Sequence, residues 1–160
     1  MVREIDSIQV LSRLKAAVAA LPSNSAQLQL SEDHDPRARF PGWRFQITPT
    51  KSDSASLQGF IDSVFGVWFT VGQAARGEVF LAGRNGQKNK IAENEFFDIC
   101  NAVFKTQFSE EVTYSSKRQV LRSRIMLRVG ERMVGIGGHQ FLWWLYPGRT
   151  IRRFLYEPYY

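Results

Sequence analysis

The clearest pattern in the chain is the alternation from Gln119 to Val129. Leu121, Ile125, Leu127 and Val129 fall on one side, and Arg118, Arg122, Arg124 and Arg128 on the other, with Val120 and Met126 between them. Period two is the repeat of a strand, so this stretch predicts a strand with one face in the core and one face carrying guanidinium groups. Gly130-Glu131 follows, and glycine at the first position of a two-residue loop suits a type II′ hairpin turn. Closing the hairpin there sets Leu127 opposite Val134, Ile125 opposite Ile136 and Gly137 opposite Arg124. The apolar faces of both strands then agree, so the register is specified.

Elsewhere the periodicity switches between helix and strand. Residues 4–20 read as an amphipathic helix with Ile8, Leu11, Leu14, Val18 and Leu21 on one stripe, ended by Pro22. Gln27 to Leu30 alternates as a short strand, stopped by the acidic run 31–35. Trp43, Phe45 and Ile47 alternate with Arg44, Gln46 and Thr48 in a second strand, which Pro49 closes. Over 53–65, Leu57, Phe60, Ile61, Val64 and Phe65 have helical spacing, weakened by Gly59. Residues 67–71 and 78–82 predict a strand pair joined through 72–77, followed by a polar loop at 83–90. A third helix is predicted from 91 to 108, with Phe96, Cys100, Val103 and Phe104 as its buried stripe.

After Glu111 the chain reads as strands at 111–115, 118–129, 132–137, 141–146 and 149–156. Phe141 to Tyr146 is apolar on both faces, as expected for a strand buried on both sides or lying at an interface. Trp143 and Arg152 are placed to face each other across that pair in a cation–π contact. The sum is one α+β domain over residues 1–160, three helices packed on a mainly antiparallel sheet with a β-rich C-terminal third.

Composition sharpens this at one point. The first 110 residues carry 12 Lys/Arg and 12 Asp/Glu, whereas the last 50 carry nine against three, so the whole net charge of +6 lies in the C-terminal third. The same segment holds Phe141, Trp143, Trp144, Tyr146, Phe154, Tyr156, Tyr159 and Tyr160. No run approaches the roughly 18 apolar residues that span a bilayer. A single cysteine, Cys100, excludes an internal disulfide and fits a reducing compartment, so a cytoplasmic location is expected.

Candidate chemistry is sparse. His139 and His34 lie roughly a hundred residues apart with no ligand spacing, which argues against a metal site. Cys100 sits on an apolar helix stripe and has no nameable base partner, so it reads as a small core hydrophobe. The 83–90 loop has two glycines and two lysines but lacks the phosphate-loop spacing. Glu32, Asp33 and Asp35 read as a solvated turn. No catalytic residue and no cofactor is implied.

What remains are surfaces. Arg118, Arg122, Arg124 and Arg128 are the first candidate contact; Arg124 and Arg128 share their side of the hairpin with Gly135 and Gly137, and glycines beside long arginines leave room for close approach. Arg152 and the tyrosines Tyr156, Tyr159 and Tyr160 form a second candidate contact, since Arg, Trp and Tyr anchor interfaces. The preferred reading is a non-catalytic protein-binding module, an inhibitor or immunity-type protein that neutralises a partner bearing an acidic patch. Two alternatives stand beside it. One is a nucleic-acid-binding domain using the basic, aromatic C-terminal third. The other is an enzyme whose site is assembled from distant residues.

Overall fold

The computed structural model describes residues 7–33, 42–62, 64, 66–81 and 88–160. The readings that concern His34, Asp35 and most of the 83–90 loop lie outside these residues. The element order is α1 (Ser7–Ala19), β1 (Ala26–Asp33), β2 (Gly42–Pro49), β3 (Leu57–Asp62), β4 (Gly66–Val71), β5 (Ala75–Phe80), α2 (Lys90–Lys105), β6 (Phe108–Tyr114), β7 (Val120–Val129), β8 (Arg132–His139) and β9 (Thr150–Tyr156). A short 3-10 turn, Trp143–Leu145, precedes β9. The fold is thus α+β, with two α-helices rather than three and nine antiparallel strands in two sheets among the described residues.

Strands β1 to β5 form a five-stranded meander, and the second sheet runs β8-β7-β6-β9. The sheets meet where β5 lies against β8, and α2 packs on β5 and β7. The helix is held there by an aromatic cluster: Phe96 lies 6.1 Å from Phe45, 5.5 Å from Phe69 and 5.2 Å from Phe97. Phe96 and Phe104 are fully buried, each worth about 1.5–3 kcal/mol of transfer free energy. Asn89 caps the helix by accepting from the Ala92 amide at 3.1 Å. Arg13 on α1 pairs with Glu93 at 2.6 Å and lies 4.2 Å over the Phe97 ring, which ties the two helices together.

The predicted helix over 53–65 is instead strand β3. Leu57, Gly59 and Ile61 are its inward positions, so the glycine hides the alternation that Leu57 and Ile61 would otherwise show. Phe45, Gly59, Phe69 and Gly77 are successive ladder neighbours across β2 to β5. A Cβ at Gly59 would meet the Phe45 ring and the Trp68 carbonyl, and one at Gly77 would meet the Phe69 ring. The aromatic rings fill the space that the glycines vacate.

Two further boundaries differ. Strand β1 continues through Ser31-Glu32-Asp33 because Ser31 and Glu32 pair with Arg44 and Trp43, which supply ladder bonds that local composition does not reveal. The 72–77 connection shrinks to the three residues Gly72-Gln73-Ala74, with Gly72 at φ +66°. By contrast the β7–β8 hairpin has the predicted register, with Ile125 opposite Ile136, Leu127 opposite Val134 and Arg124 opposite Gly137. Gly130 opens its two-residue loop at φ +61°.

Residues 141–146 do not form a strand. Leu142 adopts φ +54°, and amide bonds from Trp143 to Gln140 and from Leu145 to Leu142 close a tight turn. The reason is topological. Strand β7 already has β8 and β6 as neighbours, so the chain leaves β8, crosses the end of the sheet and adds β9 beyond β6. The apolar run is spent on that crossing and stays largely exposed: Phe141 is 84% accessible and Leu145 66%.

Candidate functional site

Paired residues across a ladder point to the same side, so the register defines the outer face of the second sheet. His139, Arg122, Thr113 and Ile151 form one row across its four strands, and Gly137, Arg124, Glu111 and Arg153 form the next. Met126 and Gly135, then Arg128 and Met133, continue the face. The inner residues of β7, Leu121, Ser123, Ile125 and Leu127, are buried on the side covered by α2. The arginine face is therefore the open one.

Charge on this face is one-sided. Arg122, Arg124, Arg128 and Arg153 stand against Glu111, which bridges Arg153 at 3.2 Å. Among the described residues Arg122, Arg124 and Arg128 form no ion pair; Arg124 only approaches the Met126 sulfur at 3.7 Å, and Arg128 donates to the Gly130 carbonyl at 3.4 Å. Between the arginines lie apolar side chains that face solvent: Met133 is 57% accessible, Ile151 60% and Leu155 61%.

The other expected contact residues are dispersed. Arg118 lies in the turn before β7 at φ +61°, outside the ladder. Arg152 pairs with Val112 and so belongs to the opposite side of β9 from Arg153; its guanidinium lies 5.9 Å over Tyr114, not over Trp143. Trp143 instead receives Arg122 at 5.0 Å and Arg149 at 5.6 Å. This correction follows from the crossing segment, which folds Trp143 back over the Arg122 end of β7.

The tyrosine tail is largely internal. Tyr156 donates to Glu110 at 2.8 Å, and burial followed by that carboxylate pushes its phenol well above the usual range. Tyr159 donates to the Ala55 carbonyl at 2.6 Å and packs 5.0 Å from Phe104, and burial raises its phenol too. Both are buried in the core. Tyr160 is the exposed member, 49% accessible.

Glu110 is the one group of unusual chemistry that composition did not flag. It is fully buried and accepts from the amides of Gln73, Ala74 and Ala75, from the Ser123 hydroxyl and from Tyr156. Five donors on one carboxylate describe a structural clasp between the β4–β5 turn and the second sheet, with no lone pair left for a proton-transfer role.

Cys100 is buried, and desolvation pushes its thiol far above the usual range, which disfavours the thiolate a nucleophile needs. His139 is exposed at the end of β8. Among the described residues no three His, Cys, Asp or Glu side chains are grouped to hold a metal ion, and no helix is long and apolar enough to cross a membrane.

A larger concavity lies on the outer face of the five-stranded sheet, an open groove of about 960 Å³ bordered by Gln29, Arg44, Gln46, Gln58, Trp68 and Arg76. Arg44 is paired there with Asp33 at 2.9 Å. Set beside known proteins, the chain matches no protein-family model, no curated protein and no solved structure.

Proposed function

We propose that the chain is a non-catalytic protein-binding module, of the inhibitor or immunity type, that docks an acidic patch of its partner onto the outer face of the second sheet. The observation that carries this reading is the composition of that uncovered face: Arg122, Arg124, Arg128 and Arg153 interleaved with exposed Met126, Met133, Ile151 and Leu155, against the single acid Glu111. Apolar surface supplies the area-dependent part of association, and arginines supply direction and charge complementarity. A partner with carboxylates around an apolar spot matches both. The face is built on a four-stranded ladder whose other side is packed, so little ordering is needed on binding.

The test is capture from the native lysate with nuclease present, comparing the native chain with the double variant R124E/R128E. Both positions face solvent, so the thermal midpoint of the variant stays within a few degrees of the native value. A stoichiometric protein retained by the native chain, released by salt and lost with the variant is the expected result. A partner bound equally by both forms would sink the proposal.

A further inference from the structure

The two sheets leave a cleft of about 480 Å³ where they meet, and its walls come from both. Gln58, Thr70 and Arg76 line it from the five-stranded sheet, and Arg122, His139 and Gln140 from the second sheet and its exit. The cleft runs into a smaller groove of about 220 Å³ in which Arg122 and Arg124 flank the Gly135–Gly138 backbone. Arg122, Ser123, Gly138 and His139 line both, so the two form one channel.

The charge of this channel is unbalanced. Arg76, Arg122, Arg124 and His139 line it, and no carboxylate is among the described residues of the lining. Glu110 touches the lining residues Gln73, Ala74 and Ser123, but its oxygens are taken up by five donors. None of the three arginines has an ion-pair partner among the described residues. Folding thus puts Arg76 and Arg122 in the walls of one cleft, with Arg124 in the adjoining groove; Arg122 also meets the Trp143 ring, and a positive lining of this kind favours an anion.

We propose that this channel receives the acidic side chains of an extended segment of the protein partner, with Arg76 and Arg124 gripping its carboxylates. The proposal rests on the binding-module reading above and adds a second wall to the site. Guanidinium forks match carboxylates in two parallel hydrogen bonds. Thr70, Gln58 and Gln73 line the same walls and offer donors and acceptors to the main chain of such a segment. A Cβ at Gly138 would meet nothing within 4 Å, so the backbone is open to approach at that point. A peptide fits better than a nucleic acid strand because no Phe, Tyr or Trp ring is among the described residues of the lining, where the imidazole of His139 is the ring present. The nearby Trp143 ring is already contacted by Arg122 and Arg149, which compete with a base for it.

The test is a titration of the isotope-labelled full chain with a glutamate decapeptide at low salt, read by amide and guanidinium NMR shifts. The glycine amides of the β8 end and the Arg76 guanidinium are expected to move together. R76E weakens the peptide by about tenfold, in line with loss of a charge-assisted bond, and R76Q by less. K15E, at an exposed position of α1 outside both the channel lining and the arginine face, leaves affinity within about twofold. Thermal midpoints of the three variants establish that each is folded.

Full affinity in R76E, or shifts confined to other surfaces, overturns the proposal. So does an oligothymidylate that binds more tightly and moves the same glycines, since the occupant would then be a nucleic acid. Capture from lysate separates the two readings. A partner lost with R124E/R128E but kept by R76E leaves the docking face standing and removes the channel. Arg76-dependent peptide binding with no partner retained does the reverse.

Discussion

The Tyr156 phenol donates to the buried Glu110 carboxylate across 2.8 Å, and the same carboxylate accepts three consecutive amides of the β4–β5 turn. These two residues, 46 positions apart, join the last strand to the first sheet. Gly72 is part of the arrangement, since a Cβ there would meet both the Glu110 carboxylate and the Tyr156 hydroxyl at 2.5 Å.

Replacing Glu110 with Gln keeps the volume but substitutes an amide NH2 for an oxygen that accepts hydrogen bonds. Amides or hydroxyls of the turn, Ser123 and Tyr156 would then point at a donor. We expect a loss of at least about 3 kcal/mol, because bonds to a buried charged group are worth about 1.5–3 kcal/mol each and unsatisfied donors add to the cost. Y156F removes one donor of five and should cost about 1–2 kcal/mol. Urea unfolding midpoints at unchanged slope measure both. Equal losses for the two variants would mean that Glu110 is not the centre of the clasp.

Cys100 is expected to be inert in the folded chain. It is fully buried within α2 and its thiolate is disfavoured by desolvation. Labelling by an aromatic disulfide reagent at mildly alkaline pH should proceed only at the rate of opening, and rise to the rate of a free thiol in denaturant. Fast labelling of the native chain would show that α2 opens locally.

The strand that carries the arginines was legible because its signal is local: one face alternates and the turn residues sit where the hairpin needs them. Its register followed from pairing Ile125 with Ile136, and the structure keeps it. What sequence did not reveal depends on partners far along the chain. Gly59 reads as a defect in a helix until Phe45 is known to fill its place from the neighbouring strand. Phe141–Tyr146 reads as a core strand because nothing local says that both sides of β7 are already occupied. Tyr156 and Tyr159 resemble free anchors until Glu110 and the Ala55 carbonyl claim their hydroxyls. Ile151, Arg153 and Leu155 carried the same period-two signal as Arg122 and Arg124, and that alternation would have placed them on the arginine face.

The buried phenols also set an alkaline limit on stability. The folded forms of Tyr156 and Tyr159 hold their protons well above the ordinary phenol value near 10, through burial first and, for Tyr156, the Glu110 carboxylate next. A raised folded pKa means that the fold binds the proton more tightly than the unfolded chain does. The stabilisation is complete below about pH 10 and falls as pH rises beyond it. Phenolate absorbance should therefore show Tyr156 and Tyr159 as a pair that ionises only with loss of tertiary structure. Y159F should remove one member of the delayed pair, at the cost of its bond to Ala55. If Tyr156 and Tyr159 ionised near pH 10 with the fold intact, the tail would be undocked in solution.

Two glycines, Gly59 and Gly138, give a paired prediction with opposite signs of space. At Gly59 an added Cβ is blocked by the Trp68 carbonyl and the Phe45 ring, and backbone on one side cannot yield. G59A should therefore cost about 1–3 kcal/mol through overpacking, despite the entropy that alanine saves in the unfolded chain. At Gly138 a Cβ meets nothing within 4 Å, so G138A should change stability by less than about 0.5 kcal/mol. Thermal midpoints compare the two directly. The second variant also narrows the mouth of the arginine channel, so it should weaken the glutamate decapeptide while leaving the fold unchanged. A G138A chain of native stability and native peptide affinity would show that the peptide does not approach the backbone at this point.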